Sequence, residues 1–266
     1  MKKLKVLSTD SDKLYLFDFL TMFAKSFIEI FAPLLLYKLG FSVPMILIYF
    51  LIRSSTCLIM TPLMTRLSRH IGFKKVLMIT PPIFFIAYLM MVLTPINFVS
   101  LALFGVLYGI YTIAYWTPRH YFILNSSRKN EMTTRSKWFT ILETVAGMIA
   151  TFAGALVIDN YGMVAGIIFA GVVLALGCLP MLFMHVKTEH YRRDKFSSIL
   201  RRIPKSSLAV LYLGEFKSVA NTLFPLYLFI FVSQHLQFIA GFEVMIGLAS
   251  ILVIYVYGWL MDKKTT

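Results

Sequence analysis

Between Met163 and Met184 the chain runs 22 residues without a charged side chain, and between Val76 and Thr94 it runs another 19. A hydrocarbon layer about 30 Å thick is crossed by roughly 20 residues of helix, and inside it every backbone polar group must find a partner within the segment. Stretches like these are therefore expected to be transmembrane helices. On the same criterion eight segments qualify, at about 15–38, 43–64, 76–94, 98–118, 138–158, 163–184, 208–233 and 238–260. Prolines 33, 81, 82 and 225 fall inside them, which membrane helices tolerate when neighbours satisfy the freed carbonyls. With 59% of 266 residues hydrophobic, one soluble core cannot bury this much apolar surface, so lipid must cover a large share. The N-terminus, MKKLKVLSTDSDKLYLFDFL, starts like a signal peptide. Asp10, Asp12, Lys13 and Asp18 interrupt any apolar run, and it reads as a retained cytosolic lead-in.

The net charge of +14 suggests either a nucleic-acid ligand or a membrane topology, and position decides between them. Of the 26 Lys and Arg, 22 fall in the lead-in, the second, fourth and sixth connections and the tail. Arg119 is counted with the fourth connection. The alternate connections, GFSV, TPIN, DNYG and SQHLQ, carry almost none. Alternation of this kind is the positive-inside rule, and it places both termini in the cytosol of what is expected to be the plasma (inner) membrane. Nucleic acid is then superfluous as a partner. Cys57 and Cys178 sit in apolar runs with no metal-ligand spacing, so no metal and no cofactor is called for.

The chain also repeats itself. FAKSFIEIFAPLLLY in segment one and EFKSVANTLFPLYLF in segment seven share Lys-Ser followed eight residues later by Pro-Leu, at an offset of 192. TRLSRHIGFKK after segment two lies 193 residues before GWLMDKK, with Leu67 and Leu260 at matching places. Segments seven and eight therefore read as the start of a second, parallel copy of the first six. The expected architecture is an all-α membrane protein of about eight transmembrane helices. A six-helix bundle (1–186) and a basic linker (187–207) precede the first two helices of a second bundle (208–266).

In this arrangement and in its motifs the chain resembles the major facilitator superfamily, whose signature G-x-L-x-D-R/K-x-G-R/K-R/K follows the second helix of each half. Gly258, Leu260, Asp262 and Lys263 match its opening, and the chain reads as cut after the eighth helix. The first copy keeps Leu67, Gly72, Lys74 and Lys75 but has Thr65 for the first glycine, Arg69 for the aspartate and His70 for the next base. The resemblance implies a cytosolic gate formed by Gly72, Lys74, Lys75, Gly258, Asp262 and Lys263. An arginine at 69 cannot act as the gate's anion. Proton-linked members often carry an arginine on the fourth helix, and none lies within 98–118. Exchanger-type members tend to a glycine/proline motif on the fifth, which here shows Gly147 and Gly154 without proline.

Charges at membrane depth cost at least about 2.5 kcal/mol each and need partners or a wet cavity. Lys25 and Glu29 are one helical turn apart and can neutralise each other, as a structural pair or as part of a site. Arg53, beside Ser54, Ser55 and Thr56, can meet an anion or Glu29. Glu143 is a coupling candidate, or an interfacial residue. Lys217 earns its place by repeating Lys25, and Glu243 lies near the external end of segment eight. Tyr111 and Tyr115 continue a helical stripe from Tyr108 that suits either a ligand or packing. Gly105/Gly109 and Gly162/Gly166 read as close helix contacts. Segments three and six carry no charge, as the resemblance implies for peripheral helices.

An intramembrane enzyme would need clustered catalytic groups at depth. The histidines all fall in connections and no HExxH or related set occurs, so no enzyme is expected. The leading expectation is a secondary transporter moving a small solute by alternating access, its partners that solute, a coupling ion and the bilayer. The alternative is a non-transporting remnant of such a protein.

Overall fold

The computed structural model describes residues 10–93, 97–126, 132–184 and 223–265, and among these every regular element is a helix. They are α1 (Asp10–Glu29), α2 (Ala32–Lys38), α3 (Val43–Ile71), α4 (Phe73–Leu93), α5 (Phe98–Ser126), α6 (Met132–Leu182), α7 (223–231) and α8 (Leu236–Thr265). Together they bear out an all-α membrane protein. The linker 187–207 and the stretch 208–222 of segment seven lie outside the described residues.

Local chemistry sets the breaks. Segment one divides at Ile30-Phe31 because Pro33 lacks an N–H and its ring crowds the carbonyl of Glu29. The two pieces still make one apolar span, Lys13–Lys38. It ends in a Schellman motif: Gly40, with φ +98°, lets the Phe41 N–H donate to the Leu36 carbonyl and its own N–H to Tyr37. Segment two continues to Ile71, past the expected 64, so Arg66 and Arg69 ride on the exposed end of α3 rather than in a loop. At the start of α5, Asn97 caps the Ser100 N–H at 2.8 Å while the Ser100 hydroxyl reaches back to Asn97, a reciprocal capping box.

Segments five and six form α6, whose apolar stretch covers 45 residues. Straight, it would reach about 68 Å, twice the hydrocarbon thickness. Gly162, at φ +82° and ψ 170°, breaks it into two arms, 132–161 and 163–182. Phe27 of α1 touches both. Its carbonyl lies where a Cβ on Gly154 would go, and its ring lies 4.7 Å from that of Phe169. A straight helix would hold those two positions about 22 Å apart, so the arms fold back on each other around α1. Gly162 thus serves the turn, with open space around it, which corrects the expectation of a close contact at that position, while Gly166 does make one, since a Cβ there would meet Ile158 of the first arm at 3.0 Å.

The contact expected of Gly105 and Gly109 is present. A Cβ on Gly109 would meet the Arg53 carbonyl at 2.8 Å, and one on Gly105 would meet Ile52 at 3.0 Å, so α3 and α5 cross with their backbones close together. Behind the crossing lies an aromatic core, with Tyr49 stacked on Phe104 (4.7 Å) and Phe84 against Tyr111. Across the bundle α8 packs on the first arm of α6, where Leu236, Ile239 and Ala240 meet Ala155 and Ile158. The outer faces of α3 and α8 are apolar and open, with Leu58 at 73% and Leu252 at 65% exposure, as lipid contact requires.

Candidate functional site

The packing of α1, α3, the first arm of α6 and α8 leaves a cavity of about 600 Å³. Its walls bring together Lys25 and Glu29 from α1, Arg53 from α3, Glu143 from α6 and Glu243 from α8, with Trp116 of α5 and Tyr49 between them. Four of the seven substrate and coupling candidates expected from the sequence therefore share one space. Glu29 accepts from Lys25 Nζ at 3.2 Å and faces Arg53 Nη2 at 3.5 Å. The Arg53 guanidinium lies 4.8 Å above the Tyr108 ring, and Lys25 lies 5.4 Å from the Trp116 ring. Both cations are thus held by aromatic faces as well as by one shared carboxylate.

Toward the basic end of the bundle a second set of charges sits deeper in protein. Arg119 donates through Nε to Asp18 Oδ1 at 2.6 Å and through Nη2 to Oδ2 at 3.0 Å, and its Nη2 also contacts Glu143. Tyr115 donates its hydroxyl to Asp18 at 2.5 Å. Asp18 is 1% exposed and Arg119 5%, so this is a bidentate buried pair. Glu143 lines the cavity and also ends this network, and Trp116 stacks between Lys25 and Arg119.

This corrects two expectations. Asp18 is no part of a polar lead-in, because α1 begins at Asp10 and carries it into the core. Arg119 is no connection residue, because α5 continues through Pro118 to Ser126, and its helix does carry an arginine. Sequence signals for both exist. Asp18 precedes Lys25 and Glu29 by two and three turns on one stripe of α1, and Arg119 extends the Tyr108, Tyr111, Tyr115 stripe by one turn.

Tyr111 and Tyr115 do not line the cavity. Tyr111 is buried among Phe84, Tyr108 and Tyr115, and Tyr115 serves Asp18. Lys217 lies outside the described residues. Of the expected gate positions, Gly72 turns the chain between α3 and α4 at φ +96°, Lys75 is exposed, and Lys74 donates to the carbonyls of Leu182 and Met184, both at 2.9 Å. Lys13 donates to Phe183 at 2.9 Å, so two lysines hold the last carbonyls of the second α6 arm. Gly258, Asp262 and Lys263 fall on α8, and their side chains lie outside the described part. No group of His, Cys, Asp and Glu suited to a metal occurs among the described residues.

The family model of the Major Facilitator Superfamily matches residues 14–266, nearly the whole chain. Among curated proteins no match is found. Apolar spans in series, a charged cavity among them and a match of this extent agree with one another. The chain is a multi-pass integral membrane protein of the transporter kind and belongs to the major facilitator superfamily.

Proposed function

We propose that the chain is a secondary transporter that binds a small solute in the cavity between α1, α3, α6 and α8 and exposes it alternately to the two sides of the membrane. The observation that carries this reading is the convergence of five ionisable side chains, from four helices, on one space at membrane depth. Charges so placed are costly unless they face water or a ligand. In this reading Lys25, Glu29, Arg53 and Glu143 form the solute and coupling site, with Lys217 as a further candidate. Residues 1–186 and 208–266 belong to two rocking parts joined by the linker 187–207. The basic end, with Gly72, Lys74, Lys75, Gly258, Asp262 and Lys263 as gate, faces the cytosol of the plasma membrane. A coupling ion drives the cycle.

The test is uptake into proteoliposomes holding the purified full chain, with a panel of labelled sugars, amino acids, organic anions and amines. Arg53→Ala and Lys25→Ala should each reduce uptake about 10- to 100-fold, the range expected when a hydrogen bond to a charged group is lost, with reconstituted protein unchanged. Equal uptake by the variants would remove these residues from the site. No uptake of any solute by the parent chain would leave the non-transporting reading.

A further inference from the structure

Resting on that transport reading, the geometry points to a zwitterionic solute, a small molecule bearing both a carboxylate and an ammonium group in the manner of an amino acid. On the α1–α3 wall two cations, Lys25 and Arg53, share the single carboxylate of Glu29. One positive charge is left over there. Arg53 approaches Glu29 to 3.5 Å, a loose ion pair for a guanidinium that carries five N–H donors in a fork matched to a carboxylate. Its guanidinium carbon lies 4.8 Å from the centre of the Tyr108 ring, so an aromatic face also holds the cation in place.

On the opposite wall Glu243 of α8 lines the same cavity and has no ion pair or hydrogen bond among the described residues. The other wall carboxylate, Glu143, shares the Arg119 guanidinium with Asp18, so those three side chains carry one negative charge beyond their cation. Positive charge is therefore left over on the α1–α3 wall, at Lys25 and Arg53, and negative charge on α6 and α8, in the Glu143–Asp18–Arg119 network and at Glu243; among the described residues Glu243 lies within ion-pairing distance of neither cation. A solute carrying both charges satisfies both walls at once. A monocarboxylate would leave Glu243 unmatched, an amine would leave Arg53 unmatched, and a sugar would leave both, so the site rejects each by an unpaired charge. Ile30, Pro33, Ile246 and Ile254 add apolar lining for a hydrocarbon side chain, and about 600 Å³ lies within the usual range of small-molecule sites.

The experiment presents each of the twenty standard L-amino acids to the full chain in proteoliposomes, together with its deaminated and decarboxylated analogues, and glucose as a neutral probe. Thermal stabilisation of the purified protein by the same probes reads binding without turnover. Saturable uptake of an amino acid is expected, with each singly charged analogue at least about tenfold weaker. Glu243→Gln should weaken the amino acid by about tenfold or more and narrow its advantage over the deaminated acid, and Arg53→Gln should do the same toward the amine. Uptake of only singly charged or neutral probes, indifferent to Glu243→Gln, overturns the zwitterion inference and leaves transport standing. Restoration by Lys217→Ala of uptake lost in Glu243→Gln would make the two residues each other's partners, and also overturns it. Failure of every probe to enter or to stabilise a cooperatively melting protein overturns the zwitterion inference, and the transport reading beneath it falls as well when the wider panel of sugars, organic anions and amines also fails to enter.

Discussion

The Arg119 guanidinium, 5% exposed, is held by two carboxylates and an indole face, and removing it would leave Asp18 charged in a site that is 1% exposed. Breaking one side of a buried pair is far more damaging than replacing both. Arg119→Met is expected to destabilise the protein by about 3–5 kcal/mol, seen as a lower melting temperature in detergent. Adding Asp18→Asn should recover most of the loss, and a double variant no better than the single one would show that the pair is not the source. In sequence both residues border polar stretches, Asp18 after the lead-in and Arg119 before the fourth connection, and nothing local marks either as buried. Local composition carries no record of a partner 101 positions away. Lys25 and Glu29, only four apart, were legible as a pair for the opposite reason: helical geometry alone brings them together.

Among the helices, the contacts that decide spacing are made by glycines, and they differ in what opposes them. Gly154 faces the Phe27 carbonyl of α1, which is backbone and cannot move without shifting a helix. Gly105 faces Ile52 Cγ2 at 3.0 Å and the Tyr49 carbonyl at 3.3 Å, where a shift of a few tenths of an ångström makes room, whereas the Phe27 carbonyl would lie far inside contact distance of a Cβ on Gly154. Gly154→Ala should therefore cost about 1–3 kcal/mol, as overpacking does, while Gly105→Ala costs visibly less. Parallel melting curves of the two variants check the order, and equal losses would mean the α1–α6 contact is softer than its geometry. The sequence pointed to Gly105 and Gly109 through their spacing, whereas Gly154 was noted only as half of a missing glycine/proline motif. Gly162 shows the limit of such patterns. It sits in a GxxxG string yet works through its positive φ, which spacing does not encode.

For the molecule as a whole, the proposed orientation, with the basic end toward the cytosol, is open to a direct test. In a background with Cys57 and Cys178 replaced, cysteine at Asn160, exposed in the structure at the turn of α6, should react with a membrane-impermeant maleimide added to intact cells. Cysteine at His70, exposed at the other end of α3, should react only after permeabilisation. The reverse pattern would overturn the positive-inside assignment. The cavity belongs to this scale too, because no single helix contains it: α1 supplies both signs of charge, α3 a cation, α6 and α8 carboxylates.

The amino-acid sequence by itself determined that the chain spans a membrane as helices, roughly where each span lies, that its basic connections alternate and which family it resembles. Those properties are local: hydrocarbon forces each segment to satisfy its own backbone, so twenty apolar residues in a row carry the whole signal. Only the tertiary structure decided that Asp18 pairs with Arg119, that Glu143 joins that pair to the cavity, that Tyr111 is buried away from the cavity, and that Glu243 lines it together with the charges of α1 and α3. Those outcomes depend on how each helix is rotated and how closely it approaches its neighbour. Close contacts at glycines and the fold-back at Gly162 set both, and neither can be read along a single helix.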